Sequence, residues 1–233
     1  IPLLPLLAAT LHGVCVGLLR RSLPRSVVAW VSCGALGASL ALSLYALAGL
    51  VASSASTPRR IDTVAIWIGL GVGAGALASD IGFVFDPLSA LMCCLVSGVG
   101  LLVHVYALAW MQSDARDDRG FQRFFLYMGL CTSAMLVLVL AGDLLFLFLG
   151  WQAVALGSLL STGFWFSDPG HARVGMRGFV AGRVGDVGFV VGTLLLFWSL
   201  SETGAPSLAL ADLGGSLPVL ENRAFAAPDW LAA

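Results

Sequence analysis

The chain contains a run of about seventy residues, Arg123–Gly192, in which apolar side chains follow one another almost without interruption. A water-soluble domain cannot cover so much apolar surface, so this run belongs in a lipid bilayer. Three polar residues interrupt it at membrane depth, namely Gln152, Arg183 and Asp186. Polar groups are costly in hydrocarbon, and they mark either an ion path or a contact between helices.

The composition of the whole chain agrees with a membrane protein and excludes several other classes. Of the 233 residues, 59% are hydrophobic and 11% are charged, and the mean hydropathy is +0.95. These values lie outside the range of ordinary globular domains. The net charge of −1 gives no basis for binding nucleic acid. The five cysteines lie in apolar segments without a CxxC pair, and we interpret them as small buried side chains, not as metal ligands or disulfides.

A membrane-spanning helix needs about 20 apolar residues, and six segments of the chain meet this requirement. We therefore predict an all-α integral membrane fold of about six transmembrane helices. The first segment lacks a basic region before its apolar stretch and is followed by arginines, so we do not interpret it as a cleaved signal peptide. The predicted spans are Ile1–Leu19, Val27–Ala52, Asp86–Met111, Phe121–Ala141, Leu144–Phe166 and Met176–Leu200.

The arginines predict the orientation of these spans, because positive residues concentrate in cytoplasmic loops. The loops after the first, third and fifth spans are the more basic ones. We therefore expect the N-terminus and the 53–85 loop to face away from the cytoplasm of a bacterial inner membrane. The arginines on the cytoplasmic side are Arg20, Arg21, Arg25, Arg116, Arg119, Arg123, Arg173 and Arg177, and those on the outer side are Arg59, Arg60 and Arg223.

The outer loop between the second and third spans has two runs of β-branched and aromatic residues, Thr63–Ile68 and Ile81–Phe85. A stretch rich in glycine and alanine separates them, and this pattern predicts a β-hairpin on the outer surface. A short interfacial helix from Ile61 to Leu77 is the alternative, since its glycines also suit close packing.

Four polar residues within the predicted spans are candidates for a proton path, namely Asp186, Arg183, Gln152 and His104. Asp186 titrates, and Arg183 lies three residues earlier on the same helical face, so the two side chains can pair. Gln152 lies about 12 Å into its helix at about 1.5 Å per residue, where an amide can bind water or a neighbouring helix but cannot exchange a proton. His104, two turns from the cytoplasmic end of the third span, titrates near neutral pH and suits a relay. A structural ion pair and interhelical hydrogen bonds remain the alternatives for all four residues.

Asp86 and Asp143 stand at the starts of predicted helices, where a carboxylate caps free backbone N–H groups. We expect structural roles for both. The chain has no phosphate-binding loop, dinucleotide fingerprint, haem or iron–sulfur cysteine set, or nucleophile triad. The residues therefore predict no catalytic side chain and no metal site, only a membrane protein with buried ionisable groups.

Four sequence motifs carry a resemblance to a known family. They are FDPLSALM at Phe85–Met92, HVYALAWM at His104–Met111, VLVLAGDLLFLFLGWQAVAL at 137–156 and RVGDVGF at Arg183–Phe189. In this order they resemble the N-terminal part of the subunit L (mitochondrial-type subunit 5) family of proton-pumping NADH:quinone oxidoreductase, respiratory complex I. The pattern is shared by the large subunits of cation/proton antiporters, membrane-bound hydrogenases and bicarbonate-accumulating complexes, which are the alternative assemblies.

The resemblance implies a function and a set of site residues. It implies a proton-translocating membrane subunit without a cofactor of its own, whose partner subunits hold NADH, flavin, iron–sulfur clusters and quinone. The family's paired Arg and Asp correspond to Arg183 and Asp186. The family's Trp–Glu pair falls on Trp151 and Gln152, so this chain has an amide where the family has a protonatable acid.

The resemblance also implies a division of the chain and its place in a longer protein. We expect residues 1–60 to form two helices and a linker, 61–117 to form the hairpin and third helix, and 118–233 to begin the proton-translocating domain. The family has more than twice as many spans, so we expect the chain to be an N-terminal fragment that interacts with other complex I subunits and with lipid. A structural anchor without a proton route is the remaining hypothesis.

Overall fold

The structure is a computed structural model, and it describes residues 1–52, 60–70, 77–114, 118–166, 169–201, 207–210 and 212–213. Helices dominate it, and one pair of strands lies between the second and third helices. A π-helical turn, Val14–Leu18, extends the first helix. The elements are α1 (Leu3–Gly13), α2 (Arg25–Ala52), β1 (Arg60–Leu70), β2 (Leu77–Phe85), α3 (Pro87–Asp114), α4 (Asp118–Leu140), α5 (Leu144–Thr162) and α6 (Pro169–Ser201).

The helices confirm the predicted all-α membrane fold. Five of them, α2 to α6, are long and apolar enough to span a bilayer, while the helical stretch Leu3–Leu18 is shorter. Their surfaces are those of a membrane protein, because large apolar side chains such as Trp30 (81% exposed) and Trp198 (69% exposed) point outward. Helices are suited to this environment because every backbone polar group in hydrocarbon needs an internal hydrogen bond.

The two strands pair in antiparallel fashion, with Arg60 opposite Phe85 and Leu70 opposite Leu77. The structure has strands where the alternative interpretation placed a helix. The connection between them, residues 71–76, lies outside the described residues. Whether this hairpin faces the outer side of a membrane remains a prediction.

A short backbone network joins the hairpin to the beginning of α5. The N–H of Gly142 donates to the carbonyl oxygen of Gly82 at 2.9 Å, and the N–H of Leu210 donates to the carbonyl of Gly142 at 2.9 Å. A Cβ at position 142 would lie 3.0 Å from the Gly82 oxygen, so the close approach requires glycine. These hydrogen bonds hold Gly142, just before α5, against β2 and Leu210. They therefore help to set the position of α5, and of its polar residues, along the helix axis.

Helices α1 to α4 pack against one another. A cluster of buried side chains lies at one end of them, where Phe121 and Phe125 of α4 contact α2 and α3. At the same end, Arg25 and Asp118 form an ion pair at 2.8 Å, and Arg119 donates to the carbonyl of Arg20 at 3.0 Å. These residues therefore lie at one end of the bundle, as the arginine pattern requires. The buried cluster is Val28, Ala107, Met111, Phe121, Phe125 and Phe164.

Helices α4 and α5 pack closely because two glycines of α5 face α4. A Cβ on Gly157 would lie 2.9 Å from both Cα and Cβ of Cys131, and one on Gly150 would lie 3.0 Å from the backbone of Leu138. Small residues allow helix backbones to approach in a membrane, where burial of apolar surface gives no driving force. The packing sets the position of α5 against the rest of the bundle.

Candidate functional site

The contact between α5 and α6 brings together three of the predicted proton-path residues. Gln152 lies on α5, and Arg183 and Asp186 lie one turn apart on α6. Trp151 of α5 joins them, since its indole Nε1–H donates to Asp186 Oδ1 at 3.0 Å. The site is thus a cluster of four polar side chains from two membrane-length helices.

Asp186 is the acid of this cluster, and it is 8% exposed. Besides the indole of Trp151, its carboxylate contacts Arg183, with Asp186 Oδ2 2.9 Å from Arg183 Nη1. A buried carboxylate needs such partners, because leaving a buried charge unpaired costs about 3–5 kcal/mol. The pairing lowers the cost of keeping Asp186 ionised in the membrane.

Arg183 is shared between the carboxylate and the amide. Its Nη1 also donates to Gln152 Oε1, and its guanidinium carbon lies 4.2 Å from the centroid of the Phe179 ring. Two further donors in the cluster, Arg183 Nε and Gln152 Nε2, are buried without a hydrogen-bond partner in the described part of the chain. The site therefore has spare donor groups, which suit an oxygen acceptor such as water.

A cavity of about 490 Å³ adjoins the cluster and extends along α5 and α6. Its polar lining includes the hydroxyls of Ser158 and Thr162 as well as Asp186 and Arg183. Glycines 175, 178 and 182 of α6 line the same space. The lining is mostly apolar, and its few polar groups lie where a water molecule could approach the acid of the cluster.

The chemistry available to the cluster follows from its residue types. Asp186 is the only carboxylic acid of the four, and neither an amide nor an indole exchanges a proton, so Asp186 is the candidate proton carrier among them. When Asp186 is ionised, its charge balances that of Arg183. When Asp186 takes a proton, Arg183 loses its counterion and keeps only the amide and the ring. One proton therefore changes the net charge of the cluster by one unit.

The structure does not bring His104 into this cluster. Its Nδ1 is 2.8 Å from the carbonyl oxygen of Gly100, one turn earlier on α3, and its ring is 5.8 Å from that of Phe125. His104 Nε2 is buried without a hydrogen-bond partner among the described residues. His104 lines a groove between α3 and α4 instead of the cavity beside Asp186. Its membership of a proton path stays a prediction.

The two aspartates at helix starts make capping contacts. Asp143 Oδ1 accepts from the N–H of Leu145 at 2.8 Å at the start of α5. Asp86 Oδ1 accepts from the N–H of Ser89 at 2.7 Å, and Ser89 Oγ accepts from the N–H of Asp86 at 2.8 Å. The second pair is a reciprocal capping arrangement. Both contacts occupy backbone donors that helix starts leave free.

Sequence reasoning missed two side chains that form hydrogen bonds between helices, Trp151 and His12. It assigned no role to Trp151, although the neighbouring Gln152 and the family's Trp–Glu pair pointed to this position. It also overlooked His12, which is fully buried and whose Nε2 is 2.9 Å from Ser32 Oγ of α2. Gln122 of α4 extends this second contact by donating to the carbonyl of His12 at 3.4 Å. Nothing in the local sequence of α1 signals that contact.

Over the described ranges, no group of three or more His, Cys, Asp or Glu residues is arranged to hold a metal ion. The cysteines within those ranges are Cys15, Cys33, Cys93, Cys94 and Cys131, and all are free thiols.

Comparison with known families decides what kind of membrane protein this is. Residues 70–125 match the family model described as NADH-Ubiquinone oxidoreductase (complex I), chain 5 N-terminus. Residues 141–225 match the one described as NADH:quinone oxidoreductase/Mrp antiporter, TM. The chain belongs to the antiporter-like membrane subunits of complex I and Mrp antiporters. The predicted resemblance is thereby confirmed.

Individual relatives support the same family. The chain is 32% identical over 221 residues to NADH-quinone oxidoreductase subunit L of Neisseria meningitidis serogroup B. The aligned region is 94% of this chain and 31% of that relative. It is 36% identical over 176 residues to subunit L of Mycobacterium tuberculosis, covering 74% of this chain and 26% of the relative. The chain therefore spans less than a third of the length of these curated relatives.

Among solved structures, the Mrp complex from Dietzia sp. has a similar fold. The TM-score is 0.61 at 19% sequence identity, with 88% of this chain and 20% of that chain covered. At this identity the similarity concerns the fold alone. The fold, the membrane-length helices and the family models together make the chain a multi-pass membrane protein of the antiporter-like family.

Proposed function

We propose that the chain is part of a proton-translocating membrane subunit of an NADH:quinone oxidoreductase. The observation that supports this function is the Arg183–Asp186 pair of α6, in which Asp186 is buried and Arg183 is half-buried, and which also contacts Gln152 and Trp151 of α5. Ionisable residues are rare in membrane helices and mark ion pathways or structural pairs. A cavity that reaches the acid favours the pathway, since a purely structural pair needs no access.

In this proposal Asp186 binds the proton, and Arg183 responds because its ion pair with Asp186 is lost when the carboxylate is neutralised. A proton that arrives from the cavity neutralises the carboxylate and removes the counterion of Arg183. The guanidinium then remains with Gln152 Oε1 and the face of Phe179. Loss of the proton restores the ion pair. A change of charge elsewhere in the complex can drive this cycle by favouring one of the two states of Arg183.

The redox part of the reaction belongs to partner subunits under this proposal. NADH, flavin, iron–sulfur clusters and quinone are bound there, and the energy of quinone reduction reaches this chain through the contacts between subunits. The enzyme activity is therefore a property of the assembled complex. Under the proposal, this chain contributes the Asp186 carboxylate, whose protonation changes in response to quinone reduction in the partner subunits.

The proposed setting is a bacterial cytoplasmic membrane, with the N-terminus facing away from the cytoplasm. The end of the bundle that carries Arg20, Arg25 and Arg119 is then the cytoplasmic end. Residues 1–60, 61–117 and 118–233 form the three proposed regions, of which the last contains the proton site.

A second candidate function is that of a large subunit in a cation/proton antiporter, membrane hydrogenase or bicarbonate-accumulating complex. Gln152 favours it, because an amide occupies the position where the complex I resemblance implies an acid. Gentle solubilisation of native membranes, affinity purification of the full-length protein and mass spectrometry distinguish the candidates. We expect NADH- and quinone-binding subunits to co-purify. Recovery of antiporter or hydrogenase subunits instead would reject the complex I assignment. The proton site at Asp186 would then be tested in that other complex.

The amide at position 152 gives a prediction that concerns the site directly. We expect Gln152→Glu to increase proton flux and to alter its pH profile, because a second acid would share Arg183 with Asp186. Proton uptake by proteoliposomes that contain the purified complex measures both quantities. Gln152→Met, which removes the acceptor of Arg183 without adding an acid, is the matched control and should not increase the flux. If Gln152→Glu leaves flux and pH profile unchanged, position 152 has no part in proton movement.

A further inference from the structure

A long groove on the surface between α3 and α4 is not explained by proton translocation. Its volume is about 530 Å³, and its lining is almost entirely apolar. Leu95 and Val99 of α3, which line it, are 54% and 53% exposed, so the groove is open to the side. Met128 and Met135 of α4 form part of the opposite wall. Methionine side chains adapt to flexible apolar ligands.

The groove is longer than the hydrocarbon of one bilayer leaflet is thick. It extends along α3 from Leu95 to Trp110, a distance of about 22 Å at about 1.5 Å per residue. Half of the hydrocarbon core of a bilayer is about 15 Å thick. A groove that covers the depth of one leaflet can accommodate an extended acyl chain.

Aromatic rings form the end of the groove at Trp110. The Trp110 ring lies 6.4 Å from that of Phe124 and 5.5 Å from that of Trp165, which in turn is 5.0 Å from Phe164. Tryptophan is typical of the level of lipid headgroups. This end of the groove is the same end of the bundle at which Arg25, Asp118 and Arg119 lie, since Phe124 belongs to the first turns of α4.

A positive charge stands beside these rings. The guanidinium carbon of Arg123 lies 5.0 Å from the Phe164 centroid and 4.8 Å from the Phe166 centroid. Arg123 Nε is buried and has no hydrogen-bond partner in the described ranges. No acidic residue is among the described side chains that line the groove. Arg123 does not line the groove itself, but it precedes the groove residue Phe124 on α4, and the Phe164 ring contacts both of them.

We propose that this groove binds an anionic phospholipid, with one acyl chain between α3 and α4 and its phosphate next to Arg123. Charge complementarity selects this occupant, because anionic lipids are concentrated in the cytoplasmic leaflet and are attracted to basic residues at its surface. Arginine is suited to the phosphate through its planar set of N–H donors. The proposal does not depend on proton translocation, since the groove and the Asp186 cavity are lined by different residues.

Photolabelling tests the proposal on the purified complex that contains the full-length chain. The complex is placed in nanodiscs with phosphatidylglycerol or phosphatidylcholine that carries a diazirine on the acyl chain, and the labelled peptides are identified by mass spectrometry. We expect label on α3 and α4, with phosphatidylglycerol exceeding phosphatidylcholine by about fivefold, the ratio that a single arginine contact at the membrane surface provides. Arg123→Gln should remove this excess. Arg177→Gln, which removes an arginine of α6 instead, should retain it.

A second pair of variants tests the apolar part of the groove. Val103→Phe fills the groove and should lower the labelling by both lipids, while Val105→Phe, two residues along the same helix and outside the groove, should not. Val103 and Val105 are 44% and 52% exposed, so neither substitution disturbs the packed interior of the described bundle. Equal labelling by the two lipids, or an unchanged ratio in Arg123→Gln, would overturn the assignment of an anionic lipid. Equal labelling of Val103→Phe and Val105→Phe would overturn the groove as its site.

Discussion

Replacement of Asp186 by asparagine is expected to abolish most of the proton flux through this subunit. Asparagine keeps the size of the side chain but cannot release a proton, and Asp186 is the only carboxylic acid in the cluster with Trp151, Gln152 and Arg183. Loss of a positioned proton-transfer group costs a factor of about 100 or more. Proton uptake by proteoliposomes, measured with a pH-sensitive dye at equal amounts of assembled complex, gives the result.

A double variant separates this role from that of a structural ion pair. Asp186→Asn alone leaves Arg183 without a counterion, which by itself destabilises the helix contact. Arg183→Gln together with Asp186→Asn removes both charges. A structural pair predicts that the double variant recovers assembly and flux together, whereas a proton-carrying Asp186 predicts recovery of assembly without flux. Asp118→Asn, which removes an exposed carboxylate from the pair with Arg25, should behave like the wild type.

The second large effect is expected from Gly157→Ala on α5. The added Cβ would lie 2.9 Å from Cα and Cβ of Cys131, a distance at which one of the two helices must move. Overpacking of this kind costs about 1–3 kcal/mol. We expect a lower thermal transition of the solubilised protein and less assembled complex, because α5 and α4 separate and the proton site moves with α5.

Gly34→Ala is the matched control, because nothing lies within 4 Å of a Cβ at this position of α2. Alanine also has the higher helix propensity, so this variant should be as stable as the wild type or slightly more stable. A Gly157→Ala protein with the same transition temperature as Gly34→Ala would show that α4 and α5 do not need their close approach. The transition temperatures of the two variants are compared both in detergent and in nanodiscs. A difference that is present in detergent and absent in nanodiscs would show that lipid compensates for the loss of packing.

The sequence alone determined the membrane character of the chain, its helices and its local contacts. Apolar runs of sufficient length predict spans because the bilayer has a fixed thickness, and five of the six predicted segments are helices of membrane length. The pairing of Arg183 with Asp186 was also predictable, since residues three apart share one helical face. Likewise, Asp143 contacts the backbone only two residues away. Each of these features depends on short stretches of chain.

The tertiary structure alone decided which distant side chains meet. Trp151 and Asp186 are separated by 35 positions and Gln152 and Arg183 by 31, so their contacts exist only because α5 packs against α6 at a particular rotation. His104 has the residue type of a relay member, yet the packing of α3 against α4 directs it away from Asp186 and into the groove. Periodicity shows that a helix is apolar, but in a helix that is apolar on every side it does not show which face meets which neighbour. That choice depends on the close approach of helices at small residues such as Gly157, and therefore on the fold as a whole.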